Sequence, residues 1–518
     1  MPVDAISLEV FKNLFASVAE EMGVTLQRAA FSPNIRERLD FSCAVFDAEA
    51  RMVAQAAHIP VHLGSMPASV EHAIRAFESF HPKDVIVLND PYRGGTHLPD
   101  VTMVSPIFAE GEIAYYVASR AHHADIGGMS PGSLPLSTEL YQEGLIIPPV
   151  KLLYGGWISE GVMEIITANS RNPEERLGDI EAQLAAHRIG ESRLVSMMVD
   201  YDVPVVREHA AALLDYSRRM TEATIESIPD GDYVFEDALE GDGQCEETIP
   251  IRATLRVQGA QMTVDFTGSA PQVMGNVNAV EAIARSATWY CIRLLSEEDF
   301  PVNHGCFDPV TVITEPGSVL NPYFPAAVSS GNVETSQRVV DVVLGALSKA
   351  VPDKIPAASQ GTMNNITVGG IVEGTQFVYY ETIAGGHGAG PTGDGVSGRH
   401  SHMTNTLNTP VEALEYAYPF RILEYGLRSD SGGEGKHQGG DGIRRIYEFL
   451  SSATVTLNAE RRVIAPYGLS GGEAGERGEH RLRHNGEEDI IGGKHTVKVD
   501  PGDKITIETP GGGGCGRA

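Results

Sequence analysis

The stretch from Asp84 to Gly128 constrains this 518-residue chain most. It opens with an apolar run, Val85-Ile86-Val87-Leu88. That run breaks at Asn89-Asp90-Pro91 and continues through Gly94-Gly95-Thr96-His97-Leu98-Pro99-Asp100. A second β-like run, Ile113 to Ala118, breaks into Ser119-Arg120-Ala121-His122-His123-Ala124-Asp125-Ile126-Gly127-Gly128, and Glu110-Gly111 forms the turn into it. Short β-rich runs bounded by Gly or Pro predict strands. Two strands are therefore expected to deliver His97, Asp100, His122, His123 and Asp125 from loops at their ends. Imidazole mixed with carboxylate is the ligand set of a Zn²⁺ or Mn²⁺ site. The same residues also read as hydrogen-bonded loop polars, with Asp and Asn capping turns. Spacing alone does not choose between the two.

Composition excludes several classes. A net charge of −30 argues against binding nucleic acid or an anionic membrane surface. No run of apolar residues is long enough to span a bilayer, and Met1-Pro2-Val3-Asp4 does not open a signal peptide. The five cysteines are scattered, with no CxxC pair, which fits a reducing cytoplasm better than a disulfide framework. Cys306, beside His304, reads as a buried thiol before it reads as a nucleophile.

Periodicity predicts an α+β (mixed α/β), multi-domain chain. An amphipathic helix runs from Ser7, its expected cap, to Ala30, and a second from Pro67 to Phe80. Asp40 reads as a salt-bridge partner of Arg36 or Arg38, and His58 and His62 as structural loop histidines. Glu143 to Pro149 is expected to resume a strand. Asn172-Pro173 starts a helix that ends near Arg188, and Arg171 just ahead of it reads equally as an anion contact at the exposed amides or as surface capping. Another helix covers Val205 to Ser227, and Pro229-Asp230-Gly231 marks a soft boundary. Alternation around Gln258-Gly259 then predicts a β-hairpin. Asn276-Val277-Asn278 is expected to cap a helix to Leu295, and a further helix covers Arg338 to Ala350. The Gly/His stretch Gly385 to Thr406 lacks periodicity and reads as a binding loop. Beyond Thr409 the chain looks all-β and ends in Gly511 to Gly514. The expected division is 1–230, 231–408 and 409–518.

Asn89-Asp90-Pro91-Tyr92-x-Gly94-Gly95-Thr96-His97-x-x-Asp100, followed by Ser119-x-x-His122-His123-x-Asp125-x-Gly127-Gly128, resembles the hydantoinase B family. Ser329-Ser330-Gly331-Asn332, the His387 loop and the glycine-rich ending agree with it. The resemblance implies the B subunit of an ATP-dependent cyclic-amide hydrolase, of the N-methylhydantoinase, 5-oxoprolinase or caprolactamase type. Its partner would be a hydantoinase A-type ATPase that phosphorylates the substrate, in a cytoplasmic heterotetramer. It further implies a divalent metal, Zn or Mn, on Asp40, His97, Asp100 and His123. His122 and Asp125 are then the expected catalytic neighbours, and His387, Asn332 and Arg171 the expected substrate contacts. Two alternatives remain: a subunit of an acetone carboxylase-type ketone carboxylase, and a non-catalytic scaffold for the ATPase.

Overall fold

The computed structural model of the chain describes residues 3–56, 59–62, 64–296 and 298–517, so His58 lies outside the described residues. Helix α1 (Ala5–Ala29) begins one turn earlier than expected. Asp4 caps it, accepting from the Ser7 amide at 2.8 Å, while the Asp4 amide donates to the Ser7 hydroxyl at 2.9 Å. Ser7 is thus the return half of a capping box and not the cap itself.

The first sheet is built from β1 (Phe41–Asp47), β2 (Met52–Ala56), β3 (Val85–Leu88), β4 (Asp100–Ala109), β5 (Glu112–His122), β6 (Val150–Tyr154) and β7 (Trp157–Ile158). Their order is β2-β1-β5-β4-β3-β6-β7. Glu110-Gly111 is the turn expected from sequence; both residues have positive φ, the type that suits a tight hairpin. The strand leading into it, β4, was not expected. Asp100 therefore starts a strand and pairs with His122 across the hairpin. Gly144 to Pro149 forms no strand: the Asn89 side chain donates to the Leu145 carbonyl at 2.9 Å and accepts from the Ile147 amide at 2.7 Å.

Helices cover both faces of this sheet. Tyr115, Val117 and Ala121 of β5 pack with Phe11, Phe15 and Val18 of α1. On the opposite face, Tyr116 and Ala118 pack with Met66 and Val70 of α2 (Ser65–Arg75). After α3 (Glu160–Ala168), α4 (Pro173–Tyr201) starts from the Asn172 cap as expected but runs well beyond Arg188. Then comes α5 (Val203–Glu226).

The second sheet has the order β11-β10-β9-β8, from β8 (Gly231–Leu239), β9 (Ile249–Gln258), β10 (Gln261–Asp265) and β11 (Val310–Ile313). Helices α6 (Glu281–Arg293) and α7 (Ser336–Ala350) pack on it. Asn276 and Asn278 do not cap α6. Asn276 donates to Ser329 Oγ at 3.1 Å and Asn278 to the Ala327 carbonyl at 3.0 Å, tying down the loop ahead of α7. Position 230 is not a break in the interior, because Val87, Val101 and Leu184 share one apolar cluster with Ile251 and Val343.

The remaining strands are β12 (Asn365–Val372), β13 (Thr375–Glu381), β14 (Phe420–Arg428), β15 (Gly442–Phe449), β16 (Ala453–Asn458), β17 (Glu479–His484), β18 (Glu487–Ile491), β19 (Lys494–Val499) and β20 (Lys504–Glu508). They form two sheets, β13-β12-β16-β19 and β14-β15-β20-β17-β18. The first sheet pairs β12 with β16, so hydrogen bonds cross the division expected at 408/409. A short helix, α8 (Val411–Ala417), interrupts the otherwise β-rich end. The terminal glycines interleave with two other glycine segments: Ala389 donates to the Gly513 carbonyl at 2.8 Å, and Gly512 to the Gly440 carbonyl at 2.9 Å. A Cβ at Gly512 would sit 1.9 Å from the His387 carbonyl oxygen, so no other residue permits this approach. No helix among the described residues is long and apolar enough to cross a membrane.

Candidate metal centre

Alternation along β4 and β5 decides which side chains meet. Successive strand residues point to opposite faces, and directly paired residues share one. Asp100 and His122 are paired, so both face the α2 side. His97, one turn ahead of β4, joins them. Its Nε2 is 3.1 Å from Asp100 Oδ1, and His122 Nδ1 is 3.2 Å from the same oxygen. One ligand atom from each of the three lies within 4.8 Å of the others, and all three residues are buried. His123 falls on the other face. Its Nε2 lies 3.0 Å from Gln183 Oε1 of α4, outside the cluster, where a ligand was expected. Burial and the nearby Arg176 hold its pKa well below the usual imidazole value.

A fourth imidazole, His62, was set aside in the sequence as a structural loop histidine. Its Nε2 is 3.4 Å from Asp100 Oδ2, and its Nδ1 is 2.9 Å from Ser42 Oγ. Burial alone would raise the Asp100 pKa. The charge of His97 and hydrogen bonds from His122, His62 and His97 outweigh it and hold that carboxyl well below its ordinary value.

The loop ahead of α7 sets the His97 ring. His97 Nδ1 is 3.2 Å from the Ser329 carbonyl, so Nδ1 carries a proton. Residues Gly331–Thr335 form a single π turn, a feature common at functional sites, and it brings Asn332 Nδ2 to 3.1 Å from His97 Nε2. Behind the loop, fully buried Glu143 accepts the Val328 and Ser329 amides at 2.9 Å each and the Ser137 hydroxyl at 2.7 Å. All three fall on Oε1; Oε2 is buried with no partner. Burial pushes this carboxyl up to about 7. Glu143→Gln, which imitates the protonated form, is expected to keep the loop in place. Glu143→Ala frees two amides and is expected to weaken metal binding by about 10- to 100-fold, as outer supports of ligands do. Titration calorimetry with Zn²⁺ or Mn²⁺ distinguishes the two variants.

Glu334, on the same π turn, accepts the Met363 amide at 3.0 Å and Asn365 Nδ2 at 2.8 Å, and burial pushes it up to about 7 from 4.5. Between those values the folded chain holds a proton that the unfolded chain has released. Stability contributed by Glu334 is therefore present at low pH and falls as pH rises from about 4.5 to about 7. Urea midpoints at pH 5 and 7.5 are expected to differ less in Glu334→Gln than in the parent chain.

The cluster opens on a cavity of about 20 Å³, lined by Asp40, Ile59, Val61, His62, Asp100, His122, Asn332, Met363, Tyr380, Thr382, Met403, Thr404 and Thr406, with Val333. That is room for a water molecule or an ion. Tyr380 stacks on His122, ring centroids 4.6 Å apart and 24° between planes. Asp40 lies 3.8 Å from Arg38, one of its two expected partners, and also lines the cavity. Tyr380, Thr382 and Met363 come from segments with no polar motif, and nothing in the sequence marked them.

The donor set fits a divalent cation. Two imidazoles and a carboxylate, buried together, suit Zn²⁺ or Mn²⁺. Burial opposes a charge on His97, but Asp100 outweighs it and raises the His97 pKa, which favours a second proton on Nε2 against the Asp100 oxygen; a cation between the two would take that proton's place. His122 Nε2 and Asn332 Oδ1 are buried with no protein partner.

The family model for hydantoinase B/oxoprolinase matches residues 4–518. The chain belongs to the hydantoinase B/oxoprolinase family. It is 40% identical over 541 residues to 5-oxoprolinase 1 of Arabidopsis thaliana, covering 99% of this chain but only 42% of that protein's length. Its fold matches the crystal structure of the ATP-dependent caprolactamase of Pseudomonas jessenii with a TM-score of 0.93 and 29% identity, covering 100% of this chain and 92% of that one. It also matches a nucleotide-free acetone carboxylase with a TM-score of 0.91, covering 98% and 75% of the two chains; at 18% identity that likeness is one of fold.

The other residues expected at this hydantoinase B site are engaged elsewhere. Asp125 Oδ1 accepts from Arg171 Nη1 at 2.8 Å and Oδ2 from the Arg171 amide at 2.8 Å. The anion expected at Arg171 is thus the chain's own Asp125, and the pair closes the loop through Gly128. His387 Nε2 lies 2.9 Å from the His400 carbonyl within the glycine layers and does not line the cavity; Met403, Thr404 and Thr406, later in the same stretch, do. Cys306 is buried, its thiol 3.4 Å from the Pro301 carbonyl, and burial raises its pKa.

Proposed function

We propose that this chain is the B subunit of an ATP-dependent cyclic-amide hydrolase and opens a ring that a partner ATPase has phosphorylated. The observation that carries the reading is the buried His97–Asp100–His122 cluster at the end of a closed cavity, in a chain whose relatives include a 5-oxoprolinase and a caprolactamase. In this reading His97, Asp100 and His122 hold a Zn²⁺ or Mn²⁺ ion, with Asp40 on the same cavity wall as a fourth ligand. Asp40 acts electrostatically on both His97 and His122, which supports that assignment. The ion supplies a Lewis acid that makes water acidic enough to ionise near neutral pH.

The protein's own groups do the rest. Ser329 fixes the His97 tautomer, so that Nε2 faces the cluster. His62, tied to Ser42, holds Asp100 Oδ2 from behind. Tyr380 keeps the His122 ring in plane. An amide carbon is a poor electrophile because its nitrogen donates into the carbonyl; a phosphoryl group on the amide oxygen removes that resistance, water adds, and the tetrahedral carbon expels the ring nitrogen, which takes up a proton, leaving an acyl phosphate that a second water hydrolyses to carboxylate and phosphate. Asn332 and the hydroxyls of Thr382, Thr404 and Thr406 are the polar contacts for the ring.

The partner is a hydantoinase A-type ATPase, in a heterotetramer. The free cysteines fit the cytoplasm. The test is to reconstitute the chain with such an ATPase and follow ring opening of 5-oxoproline, N-methylhydantoin and caprolactam. ATP-dependent opening of one of them is expected. ATP turnover that requires bicarbonate and opens no ring would overturn the reading.

A further inference from the structure

Away from the histidine cluster, a groove of about 620 Å³ opens between the β8–β9 connection, the turn after β16 and the β18–β19 turn. That size is typical of small-molecule pockets. Arg462 lies on its wall. Nη1 donates to the Glu460 carbonyl at 2.5 Å, and Nη2 lies 2.6 Å from His480 Nε2. His480 Nδ1 is 3.3 Å from the Gly492 carbonyl, so this imidazole is neutral and accepts from the arginine. A guanidinium has five N–H donors, so three remain: Nε, which is buried with no partner, and the second proton of each of Nη1 and Nη2, the two left for a ligand.

Among the described residues no carboxylate forms an ion pair with the Arg462 head. Lys494, on the same wall, is already paired with Glu460. Both Glu240 oxygens are taken by backbone amides, those of Arg462 at 2.8 Å, Val463 at 2.9 Å and Ile464 at 2.6 Å. Gly478 leaves room for the head: a Cβ there would lie 2.8 Å from Arg462 Cζ and 2.8 Å from the Glu508 carbonyl oxygen. Glu240, Glu334 and Glu460 act on this half-buried cation electrostatically, but none pairs with its head, so part of its hydrogen-bonding capacity is left open.

We propose that this groove binds a small molecule through an anionic group, a carboxylate or a phosphate, seated on Arg462. A planar fork with free donors matches either group. The site stands apart from the reaction at His97 and does not depend on it.

Cys245 lines the groove and is the exposed one of the five free cysteines, so it serves as the reporter. The full chain is treated with a thiol reagent while inorganic phosphate or glutamate is titrated separately at constant ionic strength. One of the two is expected to slow Cys245 labelling saturably, and which one names the anionic group. Arg462→Gln is expected to raise the midpoint about tenfold, the usual weight of a charge-assisted hydrogen bond. Gly478→Ala, which displaces the head while leaving its charge, is expected to do the same. No protection by either anion in the parent chain overturns the proposal, as does an unchanged midpoint in both variants.

Discussion

Asp100→Ala is expected to abolish metal retention and ring opening together. Asp100 meets His97 and His122 through Oδ1, and His62 and Thr96 through Oδ2, the last at 2.9 Å. Its removal takes away a proposed ligand and the group that orients three imidazoles. Loss of an outer support costs about 10- to 100-fold, so loss of this residue is expected to cost more than about 100-fold in turnover of the reconstituted complex. His62→Ala, which removes one support of Asp100, is expected to stay within that smaller range. Metal content by elemental analysis, measured beside ATP-dependent ring opening, checks both variants. Asp100→Ala that keeps its metal and its turnover contradicts the ligand assignment.

The largest expected effect on stability lies elsewhere. Arg338 and Arg461 sit fully buried among Asp237, Asp341 and Glu460. Arg338 reaches Asp237 at 2.9 Å and Glu460 at 3.3 Å, and Arg461 reaches Asp237 at 2.7 Å. These charges join β8, α7 and the turn after β16, three distant parts of the chain. Burial opposes ionisation of Asp237, yet the two arginines hold its pKa well below the usual carboxylate range. Arg461→Met leaves Asp237, Asp341 and Glu460 sharing Arg338, with Lys494 still paired to Glu460. The cost is expected to be about 3–5 kcal/mol, the range for breaking a buried ion pair from one side. Urea unfolding of the variant measures it; a change below about 1 kcal/mol, the weight of an exposed pair, contradicts the account.

Much of the site was legible because its groups are close in sequence. His97-x-x-Asp100 and His122 stand at the ends of one hairpin, and the Glu110-Gly111 turn could be read directly. What misled was the missing strand β4. With Asp100 taken as a loop residue, there was no register to show that His122, and not His123, shares its face. Once the pairing is known, alternation decides the matter. Asp125 and Arg171 were singled out for the right chemistry, a carboxylate and a guanidinium, but 46 positions apart nothing showed that they would bond each other. Tyr380, Thr382 and Met363 were invisible because their role comes from long-range packing of β12 and β13 against the first sheet's end, which no local pattern encodes. The glycine layers explain why the Gly385 to Gly395 stretch lacks periodicity: its backbone packs on other glycine backbones.

The measurement that bears most directly on the metal centre is X-ray absorption on the purified chain, taken with an elemental count and repeated after chelation. One Zn²⁺ or Mn²⁺ per chain, bound by two imidazoles and carboxylate oxygen, is expected, with ring opening lost on chelation and restored by the ion. A metal-free chain that supports full ATP-dependent ring opening would contradict it.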